Sequence, residues 1–404
     1  MNILICPQAF KGGLRGIEAA QAIARGLGRV FPQARLVLLP VADGGDGTLE
    51  TLVSAVPSPL TGEGQDGGES PVQQPGGRLF HTAVTGPLGE PLQADWGVMD
   101  ARGQANRQTA VIELARASGL ALLSEGRRDP RRATTYGTGQ LLRAALDAGY
   151  RRIIIGLGGS ATNDGGAGIA QALGARFLDR AGRELPTGGA ALSRLAEIDL
   201  VPLDPRLRET RILAAADVAN PLCGPEGASA TYGPQKGATP EVVTELDAAL
   251  YHFAQVVRRD LGVEVLARLR MGAAGGAGAG LFALLRAEVG SGADIVCDAL
   301  GLDAALEGAD LAVVGEGRLD WQTAYDKAPM AVARRAQRRG VPVIAVAGSF
   351  GPGYEALLGQ GIALAEAAAP AGMPLAEALA RAPELVAEAA QRAAQRAQAL
   401  LPTR

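Results

Sequence analysis

At 404 residues the chain is longer than one hydrophobic core usually supports, so two domains are expected. With 47% hydrophobic and 20% charged residues it has the balance of a folded protein, which excludes a disordered chain. The net charge is only −3 with arginines dispersed, and the opening apolar run ends at Lys11, far below the ~20 residues of a membrane span; no nucleic-acid or membrane partner is expected, and a cytoplasmic location follows.

In chain order, the apolar runs 3–6 and 35–40 flank a stretch at 15–31 with helical spacing of Ile17, Ala20, Ile23, Ala24 and Leu27, which predicts strand, helix, strand. Residues 57–77 are rich in Gly, Gln, Pro and Ser and read as a flexible insertion. Strands follow at 78–85, 92–99 and 109–114, joined by the short turns GPLGEP and DARGQANRQ, an antiparallel meander. Mixed helices and strands are expected at 136–149, 151–157, 165–174, 211–216 and 240–260. Strands at 310–315, 341–347 and 361–366 then alternate with helices near 327–339 and 353–359. Helices over 374–400, broken near Pro383, end the pattern.

Continuous apolar strands alternating with helices predict a parallel sheet covered on both faces. The expected fold is therefore α/β: a doubly wound, flavodoxin- or Rossmann-like domain from residues 1–60 and 290–404, with a second, mixed α/β domain (78–289) inserted in the middle. Cys6, Cys223 and Cys297, odd in number and widely spaced, predict buried thiols rather than a disulfide framework or zinc site.

Of 39 basic residues only Lys11, Lys236 and Lys327 are lysine, and all three lie in segments punctuated by glycine or proline. A compact ammonium is not replaceable there by a planar guanidinium. Lys11 sits in PQAFKGGL (7–14), between strand and helix, placed to pair with phosphate or carboxylate. ADGGDGT (42–48) offers Asp43 and Asp46 to hold Mg²⁺ or accept a proton, beside Gly44 and Gly45, which let a ligand approach the backbone. GLGGSATNDGG (156–166) gives strand, glycine loop and helix, an arrangement that binds phosphate, with Ser160, Thr162, Asn163 and Asp164 clustered in it. It matches neither the P-loop nor GxGxxG, which excludes a P-loop ATPase and a nicotinamide dehydrogenase.

DVANPLCGPEGAS (217–229) and GPQKGATP (233–240) add Asp217, Asn220 and Lys236. GAAGGAGAG (272–280) reads equally as close helix packing on glycine. GEGRLDWQTAYDKAP (315–329) assembles Glu316, Arg318, Asp320, Thr323 and Lys327. His81 and His252 fall on a strand and a helix, away from these segments, and read as structural.

Taken in order, these segments, with Thr135 and Tyr136–Gly139, resemble the type I glycerate kinases across nearly the whole chain. The resemblance implies transfer of phosphate from ATP to glycerate, giving 2-phosphoglycerate, with MgATP in an interdomain cleft and the protein a monomer or homodimer. Under it Lys11, Asp43, Asp164, Arg318 and Lys327 are the catalytic set. Gly44, Gly45, Gly158, Gly159, Ser160, Thr162, Asn163, Asp217, Asn220, Lys236, Glu316 and Asp320 bind substrate or ATP, and Asp43 or Asp164 serves as metal ligand or base. The chain departs from the family at Gln8 and Ala9, where aspartate and serine are common, and at Asp46, Ala219, Trp321 and Asp326. Trp321, where glycine is usual, predicts a reshaped pocket. The alternatives are a kinase for a related hydroxy acid and a hydroxy-acid or nucleotide sensor without turnover.

Overall fold

The structure, a computed structural model, describes residues 1–54, 58–60, 77–99, 108–324 and 327–401. In chain order the strands are β1 (Asn2–Pro7), β2 (Arg35–Leu38), β3 (Ser58–Leu60), β4 (Arg78–Thr85), β5 (Pro91–Met99), β6 (Thr109–Glu113) and β7 (Arg152–Gly156). They continue with β8 (Arg176–Leu178), β9 (Glu197–Asp199), β10 (Arg211–Ala216), β11 (Glu288–Ser291), β12 (Leu311–Leu319), β13 (Val343–Phe350) and β14 (Leu364–Ala367). The chain divides into two compact units, one of residues 1–43, 50–76 and 293–404, the other of 44–49 and 77–292. The short segment Gly44–Leu49 thus groups with the second unit, inside the span 1–60 expected for the first.

The first unit is built on a sheet ordered β14-β13-β12-β1-β2-β3, parallel throughout except for the antiparallel edge strand β3. Successive side chains of a strand point to opposite faces. On β1 this sends Ile3 and Ile5 into one apolar layer and Leu4 and Cys6 into the other. Helices Gly16–Val30 and Ala382–Ala397 cover the first face; Gly292–Leu300 and Ala328–Gln337 cover the second. Two covered faces are why β1 reads as an unbroken apolar run. This is the doubly wound α/β domain expected.

Cys6 and Cys297 are buried together in the second layer. Burial, with a smaller contribution from the neighbouring sulfur, pushes the Cys6 thiol well up; burial likewise pushes Cys297 up to about 12. Cys223 is only half-buried, less enclosed than predicted.

The second unit carries a mixed sheet ordered β11-β10-β7-β6-β5-β4, and a separate β8-β9 ribbon. Strands β4, β5 and β6 form the predicted meander, and β6 then pairs parallel with β7, β7 with β10 and β10 with β11. One continuous core joins this sheet to helices Tyr136–Asp147, Pro240–Leu261 and Ala273–Leu285. The predicted insertion lies outside the described residues except for β3 and Gly77, as does the turn expected at 100–107. The stretch expected as a helix near 353–359 is a 3₁₀ helix, Tyr354–Gly359, and Pro383 stands in the first turn of the final helix, after a break at Arg381. No helix among the described residues is long and apolar enough to cross a membrane.

Helix Gly16–Val30 packs on Ala382–Ala397 so closely at Gly26 that a Cβ there would lie 2.1 Å from the Ala387 carbonyl oxygen. At Gly28, two residues on, a Cβ would meet nothing within 4 Å. Alanine gains about 1 kcal/mol over glycine in a helix interior, whereas overpacking costs ~1–3 kcal/mol, more still against rigid backbone. Gly26→Ala is therefore expected to lower the thermal midpoint by several degrees and Gly28→Ala to leave it unchanged or raise it. Calorimetry of the two variants side by side checks this, and equal midpoints would contradict the packing assigned to Gly26.

Candidate active site

In the first unit the adjacent strands β12, β1 and β2 run parallel, with Pro7 opposite Gly315. Ligands of open α/β sheets collect beyond such carboxyl ends. Three polar side chains are delivered there by register. Gln8, next after β1, is tied down by its backbone N–H donating to the Gly315 carbonyl at 2.7 Å. Asp43 follows β2, held along the same edge by Val41 N–H donating to the Pro7 carbonyl at 3.0 Å. Glu316 lies in β12 itself.

The Gln8 side-chain amide donates to Asp43 Oδ2 at 2.8 Å, while Gln8 Oε1 is buried without a partner among the described residues. Glu316 is only 6% exposed. Its Oε1 accepts from Thr323 Oγ1 at 2.7 Å, and its Oε2 lies 3.8 Å from Lys327 Nζ. Burial pushes its carboxyl up to about 7; the Asp43 charge adds to the rise, and the Thr323 bond and Lys327 oppose it. Arg318 is exposed and pairs loosely with Asp320 at 3.7 Å. Asp320 in turn accepts from the Gln322 N–H at 2.9 Å, holding the turn that carries Thr323. Lys11 stands exposed on the turn between β1 and the first helix, and Trp321 is 54% exposed. Asp326 lies outside the described residues.

In the second unit the loop 156–166 follows β7, beside β10, whose end delivers Asp217. Lys236 is buried against this loop, its Nζ donating to Ser160 Oγ at 2.9 Å and to the Thr162 carbonyl at 2.7 Å. Burial pushes its ammonium down to about 7, opposed by the nearby Asp164 carboxylate. Gly158 allows a close crossing: its N–H donates to the Gly44 carbonyl at 3.1 Å, and a Cβ on it would lie 2.4 Å from Gly45 Cα. Gly159, in the left-handed region at φ +72°, leaves its carbonyl to accept from Leu120 N–H at 2.8 Å. Asn163 is buried, with its amide donating to Ser229 Oγ at 2.9 Å and its oxygen unpartnered. Asn220 accepts from Tyr232 Oη at 2.8 Å and donates to the Glu226 carbonyl, which fixes the segment after Asp217.

Asp164, expected as metal ligand or base, is held inside the loop by a set of nearby donors. The carboxylate is wholly buried and accepts from Thr135 N–H and Oγ1, Thr134 Oγ1, Gly166 N–H and Gly168 N–H. Four of these donors fall on Oδ2 and tie helix Tyr136–Asp147 to the loop, while Oδ1 accepts only from Gly166 N–H at 3.1 Å. The glycine run 272–280 likewise serves packing: Ala274, Gly275 and Gly276 are left-handed, and a Cβ at 275 would lie 1.9 Å from the Thr162 carbonyl oxygen.

Glu113 had no sequence signal beyond ending a strand. It is buried, accepts from Leu49 N–H at 2.8 Å and from Arg116 Nε at 2.9 Å, and so anchors the stretch Gly44–Leu49 within the second unit. The histidines stand apart: His81 pairs with Asp95 at 2.6 Å across β4 and β5, and His252 bonds to the Leu195 carbonyl.

Among the described residues no group of three or more His, Cys, Asp or Glu side chains is placed to hold a metal. Mg²⁺ in phosphoryl-transfer sites keeps waters and takes one or two carboxylates plus phosphate oxygens. Asp43 and Glu316, with the unpartnered Gln8 Oε1, fit such a partial donor set.

The glycerate kinase family model matches residues 3–398. A glycerate kinase of Halalkalibacterium halodurans is 45% identical over 91% of this chain and 91% of its own length. The glycerate 2-kinase of Escherichia coli is 45% identical over 87% of this chain and 86% of its own. The crystal structure of a candidate glycerate kinase 2 from Salmonella typhimurium superposes with a TM-score of 0.83 at 44% identity, covering 99% of this chain and 98% of that one. With a match that runs almost from end to end, the chain is an enzyme, a kinase, and belongs to the glycerate kinase family.

Proposed function

We propose that the protein transfers the γ-phosphoryl group of MgATP to a hydroxyl of D-glycerate, giving 2-phosphoglycerate. The observation that supports this reading is Lys236 in the second unit, buried against the glycine loop that follows β7 with its Nζ on Ser160 Oγ and the Thr162 carbonyl; the first unit, taken by itself, supplies a carboxylate cluster beyond the ends of its parallel strands. Phosphoryl transfer needs mainly positioning, charge neutralisation and an acceptor for the hydroxyl proton. Lys236, Ser160 and the backbone of Gly158 and Gly159 are suited to phosphate oxygens, with Thr162 and Asn163 shaping the loop. Asp217 and Asn220 extend this set. Asp164, as the loop's internal anchor, is a positioning residue in this reading.

Asp43 and Glu316 take the proton and metal work, with Gly44 and Gly45 beside them in sequence. Mg²⁺, when bound, would neutralise the charge on the transferring phosphate. Lys327, Lys11 and Arg318, set by Asp320, suit the glycerate carboxylate. The E. coli relative's name, glycerate 2-kinase, supports the choice of hydroxyl. ADP release coupled to a reporter, with D-glycerate and MgATP, is expected to turn over and to stop in excess chelator. ATP and glycerate binding without ADP release would instead establish a sensor.

If the lysines direct phosphate or carboxylate, Lys→Arg keeps the charge but moves it by about an ångström, a change expected to cost on the order of 10²-fold in kcat/KM. Lys11→Arg and Lys327→Arg are not fully buried and should keep the wild-type thermal midpoint. Wild-type kcat/KM in both would remove them from the site.

The raised carboxyl of Glu316 also predicts a pH dependence. With its pKa up from 4.5 to about 7, the folded chain holds more protons than the unfolded one between those values. Its contribution to stability is therefore full below about pH 4.5 and declines as pH rises through 7. Glu316→Gln keeps an oxygen for Thr323 and cannot ionise. Relative to wild type, its midpoint should rise between pH 5 and pH 8, while kcat falls on the order of 10²-fold or more if the carboxylate takes a proton. A midpoint difference that stays flat with pH would refute the buried ionisation assigned here.

A further inference from the structure

The second unit holds a cavity of about 460 Å³ lined by Arg127, Arg128, Arg131 and Arg132, with Asp129 as its acidic member. Gly237 and Thr239, on the turn that follows Lys236, also line it. None of the lining residues contributes a side chain to the clusters described above. The stretch GRRDPRR (126–132) is outside every motif read from the sequence.

The lining holds four arginines and one carboxylate, and that carboxylate is already engaged. Asp129 Oδ1 accepts from Arg131 N–H at 3.1 Å and from Arg131 Nε at 3.3 Å. Among the described residues no carboxylate pairs with Arg127, Arg128 or Arg132. Arg128 is half-buried: its Nη1 donates to the Gln235 carbonyl at 3.2 Å, while its Nε is buried with no partner among the described residues. The Arg128 backbone is locked against the turn, since a Cβ on Gly237 would lie 2.7 Å from the Arg128 carbonyl oxygen.

By contrast Arg335 meets three carboxylates, those of Asp294, Asp298 and Asp303. Like charges gathered in a concavity repel one another unless an anion enters, and the fork of guanidinium donors matches the oxygens of a phosphate group in pairs. An unsatisfied buried donor on one of those forks gives an oxyanion a bond to make.

We propose that this cavity is an anion site for a small phosphate-bearing ligand, distinct from the residues assigned to phosphoryl transfer. The ligand class follows from charge: three guanidinium groups with no carboxylate partner among the described residues suit a multivalent phosphate better than a single carboxylate. The cavity's wall adjoins Lys236 in sequence, so an occupant would rest on the same turn that carries this lysine to Ser160.

The test is calorimetric titration of the full chain with inorganic pyrophosphate, and in a second arm with glycerol phosphate, to separate free from esterified phosphate. Saturating Mg²⁺, a non-hydrolysable ATP analogue and glycerate are present throughout to occupy the transfer site. Saturable binding of either probe is expected, weakening as ionic strength rises. Arg127→Gln with Arg132→Gln, both at exposed positions, is expected to weaken it at least tenfold. Lysines at the same two positions should restore part of it. Without either probe, the glutamine variant should keep the wild-type thermal midpoint, kcat and both KM values within about twofold. The proposal is overturned by no saturable binding to wild type, by equal binding to the glutamine variant, or by sulfate at matched ionic strength binding as well. A tenfold rise in the KM for ATP in that variant would also overturn it, by making the cavity part of the nucleotide site.

Discussion

The carbonyl of Thr162 is the point on which the second unit's glycine loop depends. The Lys236 ammonium donates to it at 2.7 Å, and the backbone of Gly275 packs against it too closely to allow a Cβ. These two contacts require each other. The lysine can be buried only if the loop supplies oxygens in place of water, because an unpaired buried charge costs several kcal/mol. The loop stays folded under the lysine only because helix Ala273–Leu285 opens with three left-handed residues that clear its path. One of these is Ala274, at φ +52°, where a side chain costs roughly 1–2 kcal/mol relative to the right-handed conformation.

Burial places two groups of opposite charge type near the same pH. It moves Lys236 down to about 7 and Glu316 up to about 7, each against partners that partly offset the effect. Both groups thus sit near their midpoint at neutrality, and each responds to charge arriving beside it. An anion next to Lys236 draws a proton onto it, and a cation next to Glu316 drives one off. Acid–base assignments commonly rest on environments that shift ionisable groups in this way.

Much of this was legible in the sequence, for physical reasons that also mark where legibility stopped. Strands with both faces covered, such as β1 and β12, appear as unbroken apolar runs, and β4 and β10 fall where the runs place them. The β8-β9 ribbon and β11 are three or four residues long, with partly exposed, polar members, and carry no periodicity to read. The polar glycine segments were found because glycine and clustered short polar side chains there sit directly after an apolar run and before a helical one, unlike residues 57–77. Their internal division was not readable. Asp164 looks like a ligand in its local context of NDGG, yet its donors Thr134 and Thr135 lie about thirty positions upstream. Glu113 and Leu49 are 64 positions apart, and no local pattern links them. The three lysines stood out together by composition, but only folding separates them into one buried, one paired and one exposed.

The two buried thiols give the first unit a chemical clock. Cys6 lies in a central strand and Cys297 beneath it, both without exposure and with pKa values far above neutrality, so neither carries appreciable thiolate while the unit is closed. An alkylating reagent reacts with thiolate and needs access to the sulfur. Modification of these positions therefore waits on openings that expose the sheet, and its rate counts those openings rather than any property of the sulfur. Half-buried Cys223, in the other unit, is also pushed up to about 12, by burial and the Asp247 charge, and differs from the other two in access rather than in thiolate content. The chain thus records, in the order its cysteines are labelled, how often its doubly wound core comes apart.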